Sequence, residues 1–212
     1  MYSPMPFIEH DLTRLQDVME RHSFALLVSQ AQPAPVATHL PLLLDRTDGE
    51  FGILVGHWAK ANPQWQDLNQ QMVLVVFSGP HCDVSPQWYE AENVVPTWNS
   101  LAVHVTGKIE LIDDREQLRL IVRRMVDAYE RSNPSPWSLP VEPTPYEDRM
   151  LDQIVGFRIR IELIEGQWKL SQNHSTQRRQ KIIARLREQG AEAPLEIAAL
   201  MEESLSRGSL NV

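Results

Sequence analysis

Apolar and polar positions alternate along this chain in short runs, and one stretch keeps a long helical period. Leu118, Ile121, Val122, Met125, Val126 and Tyr129 fall three and four residues apart, which predicts a helix over about 114–131 with one buried face. A shorter stripe of Leu12, Leu15, Val18 and Met19 follows a capping Asp11 and predicts a first helix reaching about His22. Between the two the pattern is that of strands. "SFALLVSQ", "APVATHLPLLLD" and "GEFGILVGHW" follow one another, with Pro41 marking an edge or a bulge in the second. "KANPQWQDLN" reads as a short helix with Pro63 near its start. "QMVLVVFSG" is continuously apolar over 72–77 and predicts a buried strand. "CDVSPQWY" and "SLAVHVTGKIELID" predict further strands, the second broken at Gly107.

The segment "SNPSPWSLPVEPTP" holds five of the fifteen prolines and predicts a loop. A short helix over 146–152 precedes "IVGFRIRIELIEGQWKLSQ", whose charged and apolar residues alternate over 158–162, the mark of a strand with one solvated face. Two amphipathic helices, over 176–188 and 194–206, follow. Many short strands with few inserted helices predict a mainly β, α+β fold: an antiparallel barrel, closed or half-open, with peripheral helices. The regular strand–helix alternation of a parallel α/β sheet is absent.

Composition changes this picture little. At 212 residues the chain suits one domain with at most a small appendage, and it is 42% hydrophobic and 23% charged, as a soluble globular protein is. A net charge of −8 argues against a surface devoted to nucleic acid, because phosphate binding needs clustered cations; a local basic patch remains compatible with it. The single cysteine, Cys82, leaves no internal disulfide, and with no secretory apolar region at the start the expected compartment is the cytoplasm. No apolar run approaches a bilayer span.

The candidate chemistry lies in five patches at strand ends: "VATHLP", "GHWAKANPQW", "GPHCDVSPQWY", "VPTWNSLAVHV" and "WKLSQNHS". Trp58, Trp65, Trp88, Trp98 and Trp168 offer flat apolar surface. Thr38, Asn99, Ser171, Gln172 and Asn173 offer neutral hydrogen-bonding groups. His57, Lys60, Lys169, Arg178 and Arg179 offer positive charge. A flat heteroaromatic ring with a polar edge and a phosphate tail uses all three kinds, and FMN is such a ligand. "HWAKAN" leads from a strand toward a helix start and offers a cation and backbone amides to a phosphate.

Rival readings are weaker. Ser85 and His81 lack a G-x-S-x-G elbow and an orienting acid. Cys82 and His81 are neighbours on a strand and point to opposite faces. His57, His81 and His104 lack a carboxylate at matching spacing for a metal, so no metal is expected. The basic helix "TQRRQKIIARLREQ" reads mainly as a solvated face over Ile182, Ile183 and Leu186. With the helix after "GAEAP" it mimics a helix-turn-helix, but Glu196, Glu202 and Glu203 on that second helix would repel DNA.

Taken together, "MYSPMPF", "THLPLLLD", "GHWAKANPQW", "GPHCDVSPQWY", "VPTWNSLAVHVTG", "IVGF" and "WKLSQN" resemble, in order, the PaiB-type family of FMN-binding negative transcriptional regulators. The resemblance covers residues 1 to about 175. It implies a split β-barrel, a homodimer and FMN at the subunit interface. Residues 1–175 would form the FMN-binding domain, and 176–212 a helical extension packed on the barrel or its dimer partner. It further implies that Thr38, His39 and Leu40 of "THLP", with Trp98 and Asn99, line the ring. His57, Lys60 and Asn62 would hold the phosphate, Lys60 standing where the family often has Arg. Lys169, Ser171, Gln172 and Asn173 of "WKLSQN" would close the site. The chain departs from the family's pattern at Asp83, Ser100 and His174, where an aromatic, an aromatic and an arginine are common. Two further functions stay open at this point. One is an FMN-dependent oxidoreductase in which His81 or His104 orients a small substrate. The other is direct DNA binding through the basic helix.

Overall fold

The computed structural model describes residues 1–89 and 94–208, so residues 209–212 of the expected helical extension lie outside it. Eight strands form one sheet: β1 (Ile8–Glu9), β2 (Phe24–Ser29), β3 (Val36–Pro41), β4 (Leu43–Asp45), β5 (Ile53–Ala59), β6 (Met72–Val84), β7 (Thr97–Ile112) and β8 (Ile154–Lys169). The order is β3-β2-β6-β7-β8-β5-β4, with β1 on β8. Pairings of β2 with β3 and β6, of β5 with β4 and β8, and of β1 with β8 are antiparallel. Five α-helices accompany the described strands: α1 (Leu12–Arg21), α2 (Arg115–Glu130), α3 (Pro145–Leu151), α4 (Thr176–Gln189) and α5 (Glu192–Gly208).

Four expectations are corrected. "APVATHLPLLLD" is two strands, because the chain changes partner after Pro41: β3 ends on the Phe24↔Pro41 pair and β4 pairs with β5. Pro41 has no N–H to continue a ladder, and β3 is an edge strand, as a proline there requires. The two strands expected around Gly79 are one, β6, and "PQW" beyond it is a 3₁₀ turn, Pro86–Trp88. β7 runs unbroken through Gly107. That glycine permits close approach instead, since a methyl group there would strike the Arg160 carbonyl. "KANPQWQDLN" supplies only the 3₁₀ turn Pro63–Trp65.

The chain divides into two compact units. The first comprises 1–15, 78–103 and 165–212. In it α4 starts on Ser175, whose hydroxyl accepts from the Arg178 amide at 3.4 Å, and stops at Gly190 in the left-handed conformation, φ 69°. α4 packs on α5, burying Ile182, Ile183 and Leu186 on one helix and Ile197, Ala198 and Met201 on the other.

The second unit comprises 16–77 and 104–164. Here Asp114 caps α2 by accepting from the Gln117 amide at 2.8 Å. The expected stripe of α2 delivers Ile121 and Met125 onto Ile53 and Val55 of β5, with Leu43 and Ile112 around them. Burying each such side chain contributes about 1.5–3 kcal/mol. On the other face of β5, Trp58 is wholly buried against Phe157, ring centroids 4.1 Å apart.

Candidate functional site

Six of the expected site residues lie in each unit. In the second unit the pivot is Asn62. Its side-chain oxygen accepts from the Gln64 amide at 2.9 Å, and its amide nitrogen donates to Thr38 Oγ1 at 3.0 Å. Gln64 then ties the turn down, donating to Leu27 O, Ser29 Oγ and Val36 O. The turn is thereby fixed to β2 and β3. Lys60 precedes it: its amide donates to Gln153 O at 2.7 Å, its carbonyl accepts from Trp65 Nε1 at 3.0 Å, and the residue is exposed. The expected helix start is missing. The single turn opens on Pro63, which has no N–H, and the next amide is taken by Asn62. A phosphate at this turn would have to be met by the Lys60 ammonium and the Asn62 and Thr38 side chains, not by a helix terminus. His39 is exposed and stacks on Phe24, 5.7 Å and 20°, while Leu40 beside it is buried.

His57 is placed differently from its neighbours in sequence. It lines an apolar cavity of the second unit along with Val122, Val126 and Trp137. Burial holds its imidazole below the usual histidine range, which favours the neutral form. A neutral ring among apolar side chains is poorly suited to a phosphate dianion.

In the first unit a cavity of about 360 Å³ gathers Asn99, Lys169, Ser171 and Asn173 with Phe7, Thr97, Tyr89 and His174. Asn99 is wholly buried on β7 and accepts from Ser171 Oγ at 3.0 Å. Among the described residues its amide nitrogen has one weak acceptor, Met201 Sδ at 3.4 Å. Lys169 Nζ donates to Thr97 Oγ1 at 2.9 Å. Ser171 sits at φ +60°, a conformation rare for a non-glycine residue. Gln172 is spent on this bend: its oxygen accepts from the Leu170 amide and its nitrogen donates to Trp168 O. Trp98, next to Asn99, points to the opposite face and is 57% exposed. Thr97 escaped the sequence reading, although it shares the face of Asn99 at the strand period of two.

His174 approaches Arg178 at 3.1 Å, and the Arg178 guanidinium lies 4.8 Å from the Tyr89 ring. Burial first, and Arg178 second, hold His174 below its ordinary pKa. The remaining candidates have structural partners. Cys82 is buried, its thiol pushed up to about 11 by burial and by Asp83, so it is a poor nucleophile at neutral pH. His81 lies 3.4 Å from Gly79 O. On α4, Arg179 is buried and donates to Met201 O, Arg185 pairs with Glu188, and Arg187 pairs with Glu202. Those cations are not a free stripe for DNA. Among the described residues no group of three or more His, Cys, Asp or Glu side chains forms a metal cage, and no helix is long and apolar enough to cross a membrane.

Residues 1–163 match the family described as "Putative FMN-binding domain". The chain is 36% identical over 210 residues to the Bacillus subtilis "Protease synthase and sporulation protein PAI 2", with 98% of this chain and 99% of that protein aligned. Among solved structures it is similar to the flavocytochrome Anf3 from Azotobacter vinelandii, with TM-score 0.58, 15% identity, and 76% of this chain and 69% of that one covered. It is also similar to an FAD and heme binding protein from Mycobacterium smegmatis, with TM-score 0.55, 15% identity, and 76% and 73% covered. At such identity these two likenesses speak for the fold, the split barrel.

Proposed function

The chain belongs to the PaiB-type family of FMN-binding domains, flavin-binding split-barrel proteins, and from that premise we propose a regulatory flavoprotein that works as a homodimer with flavin at the subunit interface. The observation that carries the flavin-contact assignment is Asn99: a buried amide lining a cavity, with a thioether as the acceptor for its N–H. A flavin ring edge, rich in carbonyl and ring-nitrogen acceptors, answers that need better than sulfur does. The donor set fits the cofactor. Neutral amides and hydroxyls at Asn99, Ser171, Asn173 and Thr97 suit a ring edge, and Lys169 adds one cation. Lys60, with Asn62 and Thr38, suits a phosphate. Exposed His39 is proposed to offer ring-facing surface, whereas Leu40 and Trp98, which point away from His39 and from Asn99 respectively, are left out of the ring contacts.

Bound FMN supplies one- and two-electron redox chemistry. The chain's own residues bind and orient: the Asn62–Thr38 bond fixes the loop that presents Lys60, and the Ser171–Asn99 bond fixes the amide. The regulatory part rests on the Bacillus subtilis relative named "Protease synthase and sporulation protein PAI 2". Since the α4 cations named above are engaged, we place regulation in the flavin-loaded dimer and not in α4 as a DNA reader.

The test is a visible spectrum of purified protein with and without added FMN, alongside Lys60→Ala and Lys169→Ala. Flavin absorbance in wild type and weaker retention in both variants is the expected result. A colourless protein that takes up no added FMN overturns the flavin reading. Unchanged affinity in either variant removes that lysine from the site. Sedimentation of the loaded protein as a monomer overturns the dimer.

A further inference from the structure

We infer that the apolar cavity beneath the proline-rich segment of the second unit is a binding site for a small aromatic amine, with Glu147 as its counter-ion. The cavity measures about 380 Å³, within the range of small-molecule sites. Val122 and Val126 of α2, Met150 of α3 and Trp137 of the proline-rich segment give it apolar walls. Trp137 is 58% exposed and offers a large flat apolar surface.

Two of the polar side chains in the lining each carry a buried atom without a hydrogen-bond partner among the described residues: Glu147 Oε2 and His57 Nδ1. Glu147 is only 7% exposed. Folded interiors rarely leave such acceptors unmet, because each costs about 1–3 kcal/mol, more for a charged group. Glu147 is held there by its local sequence: Thr144 caps α3 by accepting from the Glu147 amide at 3.1 Å.

The charge balance points to a cation. Arg119 Nε donates to the other oxygen of Glu147 at 3.1 Å, but the same guanidinium also serves Glu116 and Asp148. Arg115 is occupied by Asp148 and Asp152, and Arg149 lies over the Tyr146 ring. Arg123 is spent on Pro140 O, so two guanidiniums, Arg115 and Arg119, serve four carboxylates, and Glu147 Oε2 has no partner among the described residues. An ammonium group would donate to it and still have protons for His57, whose neutral imidazole does not repel a cation. An aryl body would cover Trp137 and the valines. None of this depends on the flavin reading.

The test is calorimetric titration of the full chain as purified with tryptamine and with tryptophol, which keeps the indole and replaces the amine by a hydroxyl. Tryptamine should bind one per chain, and tryptophol at least tenfold more weakly. Glu147→Gln retains an acceptor for Arg119 and should cost tryptamine at least tenfold while leaving tryptophol and FMN uptake unchanged. Val126→Trp should abolish tryptamine binding. No saturable tryptamine binding at millimolar concentration, or equal affinities of the two ligands for wild type, overturns the assignment without any variant. So does a cavity occupied by a second copy, seen as a dimer that Val126→Trp dissociates while wild type ignores tryptamine.

Discussion

The cavity of the first unit and the apolar cavity of the second are nearly equal in size, about 360 and 380 Å³, yet opposite in chemistry. The first is dressed with amides, hydroxyls and an ammonium that bond to one another: Ser171 to Asn99, and Lys169 to Thr97. The second has mostly apolar walls and, in Glu147 and His57, two lining residues that each carry a buried polar atom with no partner among the described residues. Volume alone therefore says little about a ligand. What differs is whether the polar atoms are already satisfied, and by partners how strong. The first cavity suits a ligand with many polar edges, and the second a greasy one with a single charge.

The contrast can be broken at several points. Trp58 lies in a proposed binding motif but is core, so Trp58→Ala should cost about 3–5 kcal/mol in urea unfolding, whereas Trp98→Ala, at an exposed ring, should stay within about 0.5 kcal/mol. A small loss at Trp58 would return that ring to the ligand side. Asn99→Ala removes a buried amide and strands Ser171; it should cost about 1–3 kcal/mol and weaken FMN uptake as well. Loss of stability with unchanged flavin affinity would make Asn99 purely structural. Lys60→Ala and Lys169→Ala should each weaken FMN roughly tenfold, about 1.4 kcal/mol, with little change in unfolding midpoint.

The smallest effect is on pH. His57 and His174 both have pKa values lowered in the folded protein, mainly by burial. The unfolded chain then binds more protons near its unperturbed value of about 6.5, so stability is full above that pH and falls as pH drops through it toward the folded values. Denaturant midpoints at pH 7.5 and 5.5 should show this loss, and His57→Phe should reduce it. An unchanged pH slope in that variant would mean that His57 is not desolvated. Carboxylates held low, such as Glu110 beside Arg158, act at more acid pH and do not confuse the window.

Much of this was legible along the chain. The α2 stripe and most strand positions follow from periods of 3.6 and 2, and the loop over 132–145 from its prolines, all of them local properties. The motifs carried the family. Strand boundaries were less legible, because partner exchange at Pro41 and continuity through Gly107 depend on which neighbour lies alongside. The site residues were recognisable by type but not by direction. Thr38 and Asn62 meet through a bond across 24 positions, and Gln172 is consumed by its own turn.

His57 shows the division most clearly. The sequence alone determined that a histidine ends a strand beside a lysine and an asparagine, and that the segment belongs to a flavin-binding motif. Only the tertiary structure decided that its ring turns toward α2, into an apolar cavity shared with Glu147 from a helix ninety positions later. The reason is physical. Side chains on a strand alternate faces by local geometry, but what each face meets is set by packing between segments far apart in the chain.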